Sequence, residues 1–92
     1  MHAIVVSVRI EPGHAQEAQE QLDANVVPRA KETPGFISGY WTQSGDGKRG
    51  FSLGIFESEE AARAAAKMIP TLPRPDFVTF DNIEVEEVVA QA

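Results

Sequence analysis

Two adjacent aromatic residues, Tyr40 and Trp41, have the side chains best suited to hold a flat organic molecule. Either ring can stack on an aromatic ligand, and the Trp41 indole N–H can donate a hydrogen bond to a carbonyl or to reduced oxygen. Aromatic side chains also fill protein interfaces readily. The alternative, which we favour from the sequence, places one ring in a subunit interface and the other in the core.

Arg9 is a candidate for binding an anionic substrate, with Glu84 or Glu86 as a base. Antiparallel pairing of the first and last predicted strands would also bring Arg9 close to Glu84. Charged residues that are not fully exposed are usually paired. An ordinary ion pair between Arg9 and Glu84 is therefore the simpler expectation.

The two histidines, His2 and His14, flank the first predicted strand and stand roughly 26 Å or more apart at about 3.3 Å per residue. They cannot share a metal within one subunit, and we predict no metal site. His2 could act as a single general base at a pocket mouth, although a solvated terminal histidine is the plainer alternative. Ser7 and Ser52 have no His or Lys partner at a recognisable spacing, so the sequence predicts no nucleophilic triad.

The composition favours one small domain covering residues 1–92. The chain has no cysteine, which excludes disulfides, iron–sulfur clusters and a cysteine nucleophile and favours a reducing cytoplasm. No apolar run approaches the roughly 20 residues of a membrane helix. A net charge of −6 works against binding a phosphate backbone. We therefore expect a cytoplasmic protein with neither a membrane nor a nucleic-acid partner.

The first half of the chain reads as a strand followed by a helix. Residues 3–10 are rich in β-branched side chains with apolar residues at period two, which predicts a strand. Apolar residues then recur at helical spacing from about 14 to 31. Pro28 removes one backbone bond inside this helix, so we expect it to bend the helix there.

The second half reads as a hairpin, a helix and a last strand. Residues 36–44 and 48–57 flank Gly45-Asp46-Gly47, a sequence that favours a tight turn. Ser58 is a predicted N-cap for a helix that ends near Ile69. A fourth strand is predicted from the alternation of Ile83, Val85 and Val89 with acidic residues. The order βαββαβ predicts a ferredoxin-like α+β fold, a four-stranded antiparallel sheet with two helices on one face.

Strand periodicity divides the predicted sheet into two faces, provided that the hairpin loop has two or four residues. The residues expected beneath the helices are Ile4, Val6, Val8, Ile10, Phe51, Leu53, Ile55, Ile83 and Val85. Those expected on the uncovered face are Val5, Ser7, Arg9, Ile37, Gly39, Trp41, Ser52, Gly54, Phe56, Glu84 and Glu86. The second set is too apolar for water and too polar for a plain core, so it predicts a face-to-face homodimer with a partly polar cavity between the sheets.

Three motifs carry a resemblance to a known family: Glu11-Pro12-Gly13 after the first strand, Thr33-Pro34-Gly35-Phe36 after the first helix, and the segment Phe56-Glu57-Ser58-Glu59-Glu60-Ala61-Ala62. With them the chain resembles the dimeric α+β barrel superfamily, in particular its antibiotic-biosynthesis-monooxygenase-like branch. These motifs mark turns and caps, so they are specific for the fold and say little about chemistry.

The resemblance implies several possible activities. Relatives include cofactor-independent oxygenases of quinol-like substrates, heme-degrading enzymes and small-molecule isomerases or decarboxylases. The heme-degrading branch is recognised by an Asn, a Trp and a His, but the positions matching the first two hold Ser7 and Phe56 here, and no histidine follows His14. The resemblance therefore disfavours heme degradation and implies an enzyme that needs no cofactor.

Two functions follow as hypotheses. The first is a cofactor-free, oxygenase-like enzyme that binds a small aromatic or quinone-like compound between sheet and helices. Its candidate catalytic residues are His2 and Trp41, and its candidate ligand-binding residues are Ser7, Arg9, Tyr40, Ser52, Phe56 and Glu84. The second is a non-catalytic small-ligand binder or stress-associated homodimer, which the lack of a sharp acid–base constellation motivates.

Overall fold

The computed structural model describes residues 1–92, and its elements follow the predicted order. Four antiparallel strands form one sheet in the order β2-β3-β1-β4. Their bounds are β1 (His2–Ile10), β2 (Phe36–Gln43), β3 (Arg49–Phe56) and β4 (Val78–Glu87). Two helical segments lie on one side of this sheet, which confirms the ferredoxin-like α+β fold. No helix is long and apolar enough to cross a membrane.

The first helical segment has three pieces, α1 (Ala15–Gln21), a π-helical turn (Leu22–Val26) and α2 (Val27–Glu32). The Val27 N–H donates to the Leu22 carbonyl, five residues back, so the irregularity begins before the proline. Pro28 follows directly, in the first turn of α2, and has no N–H to donate to the preceding turn. The irregularity predicted at Pro28 is thus accompanied by a π-helical turn over Leu22–Val26, immediately before α2.

The second helix, α3 (Glu59–Met68), begins as predicted, because the Ser58 Oγ accepts a hydrogen bond from the Ala61 N–H at 3.1 Å. A hydrogen bond from Arg63, one turn along, and the positive charge of Arg63 lower the pKa of Glu59. A 3₁₀ turn (Ile69–Thr71) follows and leads into a proline-rich loop formed by residues 72–77.

Gly35 lets the turn after α2 pack tightly against the start of α3. Its φ of +81° favours glycine, and a Cβ there would come within 2.6 Å of the Ala61 Cβ. The Gly35 carbonyl also accepts the Glu57 N–H at 2.9 Å. This contact fixes the first helical segment and α3 relative to each other above the sheet.

The hairpin between β2 and β3 has an even-numbered loop, as its predicted faces require. Ser44 and Arg49 close it with a backbone hydrogen bond of 2.9 Å, leaving residues 45–48 in the loop. Hydrogen bonds from the Ser44 hydroxyl and the Lys48 N–H lower the pKa of Asp46. This geometry places Trp41 opposite Ser52.

The register between strands corrects the predicted faces of β3. Residues directly opposite each other share a face of the sheet, and β1 pairs Val6 with Ser52 and Ile4 with Gly54. The even-numbered residues of β3 therefore lie beneath the helices, and Phe56 belongs to the buried core with Ile4 and Val6. The prediction that Phe51, Leu53 and Ile55 lie beneath the helices was wrong, as was the placement of Trp41, Ser52 and Phe56 on the uncovered face.

We call the two sides of the sheet the covered face and the open face. The covered face carries Ile4, Val6, Val8, Gly39, Trp41, Gly50, Ser52, Gly54, Phe56, Ile83 and Val85. The open face carries Val5, Ser7, Arg9, Tyr40, Phe51, Leu53, Ile55, Glu84 and Glu86. Val89 was predicted to belong to the last strand. It lies past the end of β4 instead and is 85% exposed.

Candidate functional site

A cavity of about 500 Å³ lies between the covered face of the sheet and the helices. Its floor comes from all four strands, and its roof comes from the first helical segment. The end of α3 and the residues that follow it contribute Met68, Ile69 and Leu72 to the wall. A mostly apolar space of this volume fits a small organic molecule.

Small residues of β3 form part of the cavity floor. Gly50, Ser52 and Gly54 all point to the covered face and line the cavity floor. A Cβ built at Gly54 would meet only the Phe56 ring, at an ordinary contact distance of 3.5 Å. The floor at Gly54 is therefore empty of side chain although the structure has room for one.

Trp41 forms the aromatic part of the floor. It lies in a row of cross-strand neighbours with Ser52 and Val6, so its half-buried indole faces the cavity. Its six-membered ring lies against Gly39, where a Cβ would come within 2.9 Å of the Trp41 Cη2. The absence of a side chain at Gly39 thus allows the indole to lie low on the sheet.

The π-helical turn aims side chains into the cavity. Leu22, Asn25 and Val26 belong to this turn and line the roof. Asn25 Nδ2 donates to Gln21 Oε1 at 2.6 Å, which holds the amide near the roof. Inserted π-helical residues change which side chains face a site and are frequent at functional sites.

Two arginines lie in the cavity wall. Arg29 comes from α2, and Arg74 from the proline-rich loop. Arg74 Nε donates to the Val78 carbonyl at 3.0 Å, and its Cζ lies 5.5 Å from the centroid of the Phe80 ring. Nothing in the sequence pattern singles out either arginine, because they are far apart in the chain and belong to no recognisable motif.

Of the residues predicted for the site, three line this cavity: Trp41, Ser52 and Phe56. His2 is not among the lining residues; it pairs with Phe56 and Glu87 at the end of the sheet, and its charge contributes to the lowered pKa of Glu59. The structure therefore does not bring His2 together with Trp41 in one cavity.

The other four predicted site residues, Ser7, Arg9, Tyr40 and Glu84, lie on the open face. The Arg9 Nε donates to Asp81 Oδ1 at 2.7 Å, so the expected pairing of Arg9 with Glu84 was wrong. The reason is the register of β4, which places Glu84 opposite Val5 and is interrupted by a shift after Ser7. No group of three or more metal-ligating side chains occurs in the structure.

A family model for antibiotic biosynthesis monooxygenases matches residues 1–68 of the chain. None of the curated proteins compared with the chain matches it significantly in sequence.

Several solved structures share its fold over nearly the whole length. The heme-degrader MhuD from Mycobacterium tuberculosis, with two hemes bound in its active site, has a TM-score of 0.79 at 20% identity, covering 100% of this chain and 99% of that one. A Streptomyces coelicolor monooxygenase in complex with nanaomycin D has a TM-score of 0.66 at 19% identity, covering 99% and 89%. A dimeric ferredoxin-like protein from an uncultured marine organism has a TM-score of 0.69 at 12% identity, covering 100% and 98%.

Proposed function

The chain belongs to the antibiotic biosynthesis monooxygenase family, and from this premise we propose that it is a cofactor-independent monooxygenase acting on a small planar aromatic or quinone-like compound. The observation that carries the proposal is the cavity of about 500 Å³ on the covered face, with Trp41 in its floor. The S. coelicolor monooxygenase of similar fold is in complex with the ligand nanaomycin D, which supports a small organic ligand for this chain as well.

The shape of the floor favours a flat ligand. Gly54 leaves a part of the floor near the Trp41 indole without a side chain, so a planar molecule can lie on the sheet and stack on that ring. Stacking fixes the orientation of the ligand, and the apolar walls exclude water around it. Orientation of the reactants supplies a large part of the rate enhancement in an oxygenation of this kind.

The electron balance restricts the substrate. A methylene group between activating aryl or carbonyl groups can react with O2 to give a carbonyl group and water. Two C–H bonds break and one C=O bond forms, so the substrate loses four electrons and O2 gains four, with one oxygen atom retained and the other released as water. No separate reductant is needed, which agrees with a protein whose part is to bind, orient and help to ionise its substrate.

The donor set of the cavity does not fit a heme iron, although MhuD has a similar fold. Axial ligands of heme are mostly His, Cys, Tyr or Met side chains. The chain has no cysteine, neither histidine lines the cavity, and Tyr40 lies on the open face. Met68 alone remains in the wall, and it is 56% exposed. The side chains of the cavity wall therefore do not fit a heme cofactor.

We further propose that two copies of the chain associate through the open face. Tyr40 and Phe51 are 70% and 50% exposed on this face, next to the half-buried Leu53 and Val5. Contiguous apolar surface of this kind marks association sites. The dimeric ferredoxin-like protein of the same fold supports this assembly.

Oxygen uptake tests the proposed activity. A panel of planar phenols with an activated methylene group, together with hydroquinones, is offered to the wild type, to Trp41→Phe and to the neighbouring control Tyr40→Phe. We expect uptake by the wild type and the control, and a fall of about tenfold in Trp41→Phe because the stacking surface shrinks. Glu32 is the one carboxylate in the cavity wall, and the wall holds no other candidate base for ionising the substrate. Binding of the compounds without oxygen uptake would favour a non-catalytic ligand-binding protein instead.

A further inference from the structure

The walls of the cavity differ in charge from the rest of the chain. The protein carries 14 acidic and 8 basic residues. The cavity wall holds two of the arginines, Arg29 and Arg74, and a single carboxylate, Glu32. A chain with a net charge of −6 thus presents a locally positive wall at its apolar cavity.

Neither arginine is neutralised within the protein. The ion pairs of the chain join Arg9 to Asp81, Arg63 to Glu59 and His14 to Glu17. The side chain of Arg29 forms no hydrogen bond within the protein; only the backbone carbonyl of this residue accepts a side-chain hydrogen bond, from the Thr33 hydroxyl at 2.9 Å. Its guanidinium therefore keeps all of its N–H donors free.

Arg74 is held in place and still has donors to offer. Its Nε is bound to the Val78 carbonyl at 3.0 Å, and its guanidinium carbon lies 5.5 Å from the Phe80 ring centroid. The four terminal N–H groups of this guanidinium make no hydrogen bond to the protein. Two exposed guanidinium groups with free donors in the wall of an apolar cavity match a ligand that combines a flat apolar body with one anionic oxygen group.

We propose that Arg29 and Arg74, two exposed residues of the cavity wall, form an anion subsite, which selects planar aromatic compounds bearing a carboxylate or an ionised phenol. The inference rests on the proposed function and narrows its substrate class. The apolar body lies on the Trp41 floor, while the anionic group stays at the exposed rim among the guanidinium groups. A positive charge beside a phenol lowers the pKa of its hydroxyl. The subsite would thereby favour the electron-rich anion that reacts with O2, in a cavity with few groups able to act as a base.

Calorimetric titration with three probes tests the subsite: 2-naphthoate, its neutral methyl ester, and 2-naphthol at rising pH. The naphthoate and naphthol arms separate carboxylate from phenolate recognition. The variants are Arg29→Gln, Arg74→Gln, the double variant and Arg74→Lys. The matched controls, Lys31→Gln and Lys67→Gln, each remove one positive charge from an exposed position outside the cavity wall.

We expect the wild type to bind naphthoate at least tenfold more tightly than the ester, and the double variant to lose this preference. Arg74→Lys should retain part of it, and the control variants should retain all of it. Naphthol binding should strengthen as the phenol ionises in the wild type but not in the double variant. Because Arg74→Gln also removes a structural hydrogen bond, Arg29→Gln is the variant that tests the subsite without disturbing a contact of the folded chain.

The outcomes separate the subsite from the proposed function. Equal affinity of the wild type for acid and ester, or equal losses in the control variants, would overturn the anion subsite and leave the aromatic cavity intact. A wild type that binds neither acid nor ester at millimolar concentration would overturn both. A preference for the acid that survives in the double variant would show that another group of the protein binds the anion, and would overturn the subsite.

Discussion

The six-membered ring of Trp41 lies against the backbone of Gly39, two residues earlier on the same face of β2. A Cβ built at Gly39 would lie 2.9 Å from Cη2 and 3.0 Å from Cζ3 of the indole. Real Cβ atoms do not approach aromatic carbons so closely, so the position of the ring depends on a glycine at position 39. The position of Trp41 in the cavity floor thus depends on Gly39, which contributes no side chain to the floor.

Replacing this glycine should displace the indole. In Gly39→Ala the new methyl group requires Trp41 to move, so we expect an altered fluorescence spectrum of this sole tryptophan and a loss of about tenfold in affinity for 2-naphthoate. Gly45→Ala is the matched control, because a Cβ at Gly45 has open space and this glycine has no positive φ. Unchanged fluorescence and binding in Gly39→Ala would contradict the arrangement.

Gly54→Ala should affect stability and binding in opposite directions. The backbone of Gly54 has no positive φ, and a Cβ there makes an ordinary contact of 3.5 Å with the Phe56 ring. Loss of unfolded-state entropy should stabilise the fold by about 0.5 to 1 kcal/mol. The methyl group should also occupy part of the floor and weaken naphthoate binding severalfold. Urea denaturation and calorimetric titration measure the two effects, and stronger binding would argue against a ligand on this floor.

Tyr40→Glu should dissociate the proposed homodimer. The tyrosine is 70% exposed in the single chain, so the substitution leaves the packing of the protomer intact while placing a charge on the open face. Sedimentation velocity at micromolar concentration should give the mass of two chains for the wild type and of one for the variant. Ala64→Glu, which adds the same charge on the exposed side of α3, should remain dimeric. A monomeric wild type would refute the assembly.

The hairpin loop should contribute to stability in a pH-dependent way. The Ser44 hydroxyl and the Lys48 N–H bind the Asp46 carboxylate and lower its pKa from the ordinary value of 3.8. The unfolded chain then takes up the proton more readily than the folded chain. The stabilisation is therefore present above pH 3.8 and is lost as the pH falls through the lower pKa of the folded state.

Urea unfolding at pH 7 and pH 3 measures this contribution. Asp46→Asn keeps an acceptor oxygen but cannot titrate, so its midpoint should fall less than that of the wild type between the two pH values. Asp23→Asn, which alters an exposed carboxylate that has no hydrogen bond in the structure, should follow the wild type. The same acid dependence in Asp46→Asn and the wild type would show that the loop does not contribute it.

Local sequence signals specified most of the secondary structure. Ser58 caps α3 and Gly45-Asp46-Gly47 makes the hairpin turn because both depend on neighbouring residues alone. The π-helical turn was not predictable in this way. Pro28 signals a disturbance of the helix, but the sequence does not indicate that this disturbance takes the form of a π-helical turn over Leu22–Val26.

The two faces of β3 could not be assigned correctly from the local sequence. Phe51, Leu53 and Ile55 are the more hydrophobic set, so hydrophobicity alone assigns them to the core. The opposite set has one large apolar residue, Phe56, so period-two alternation points the wrong set of β3 towards the helices. Pairing with β1 resolves it, because Val6 lies opposite Ser52 and the small residues of β3 come to line a cavity.

By itself, the sequence determined the order of the elements, the turns and caps that separate them, and a fold with one bare side of the sheet. These depend on contacts between residues close in the chain or on the handedness of the connections. The tertiary structure decided which residues meet. It placed Arg29 and Arg74 in the wall of one cavity, placed Trp41 in the floor of that cavity and paired Arg9 with Asp81, because strand register and helix packing join residues that no local pattern relates.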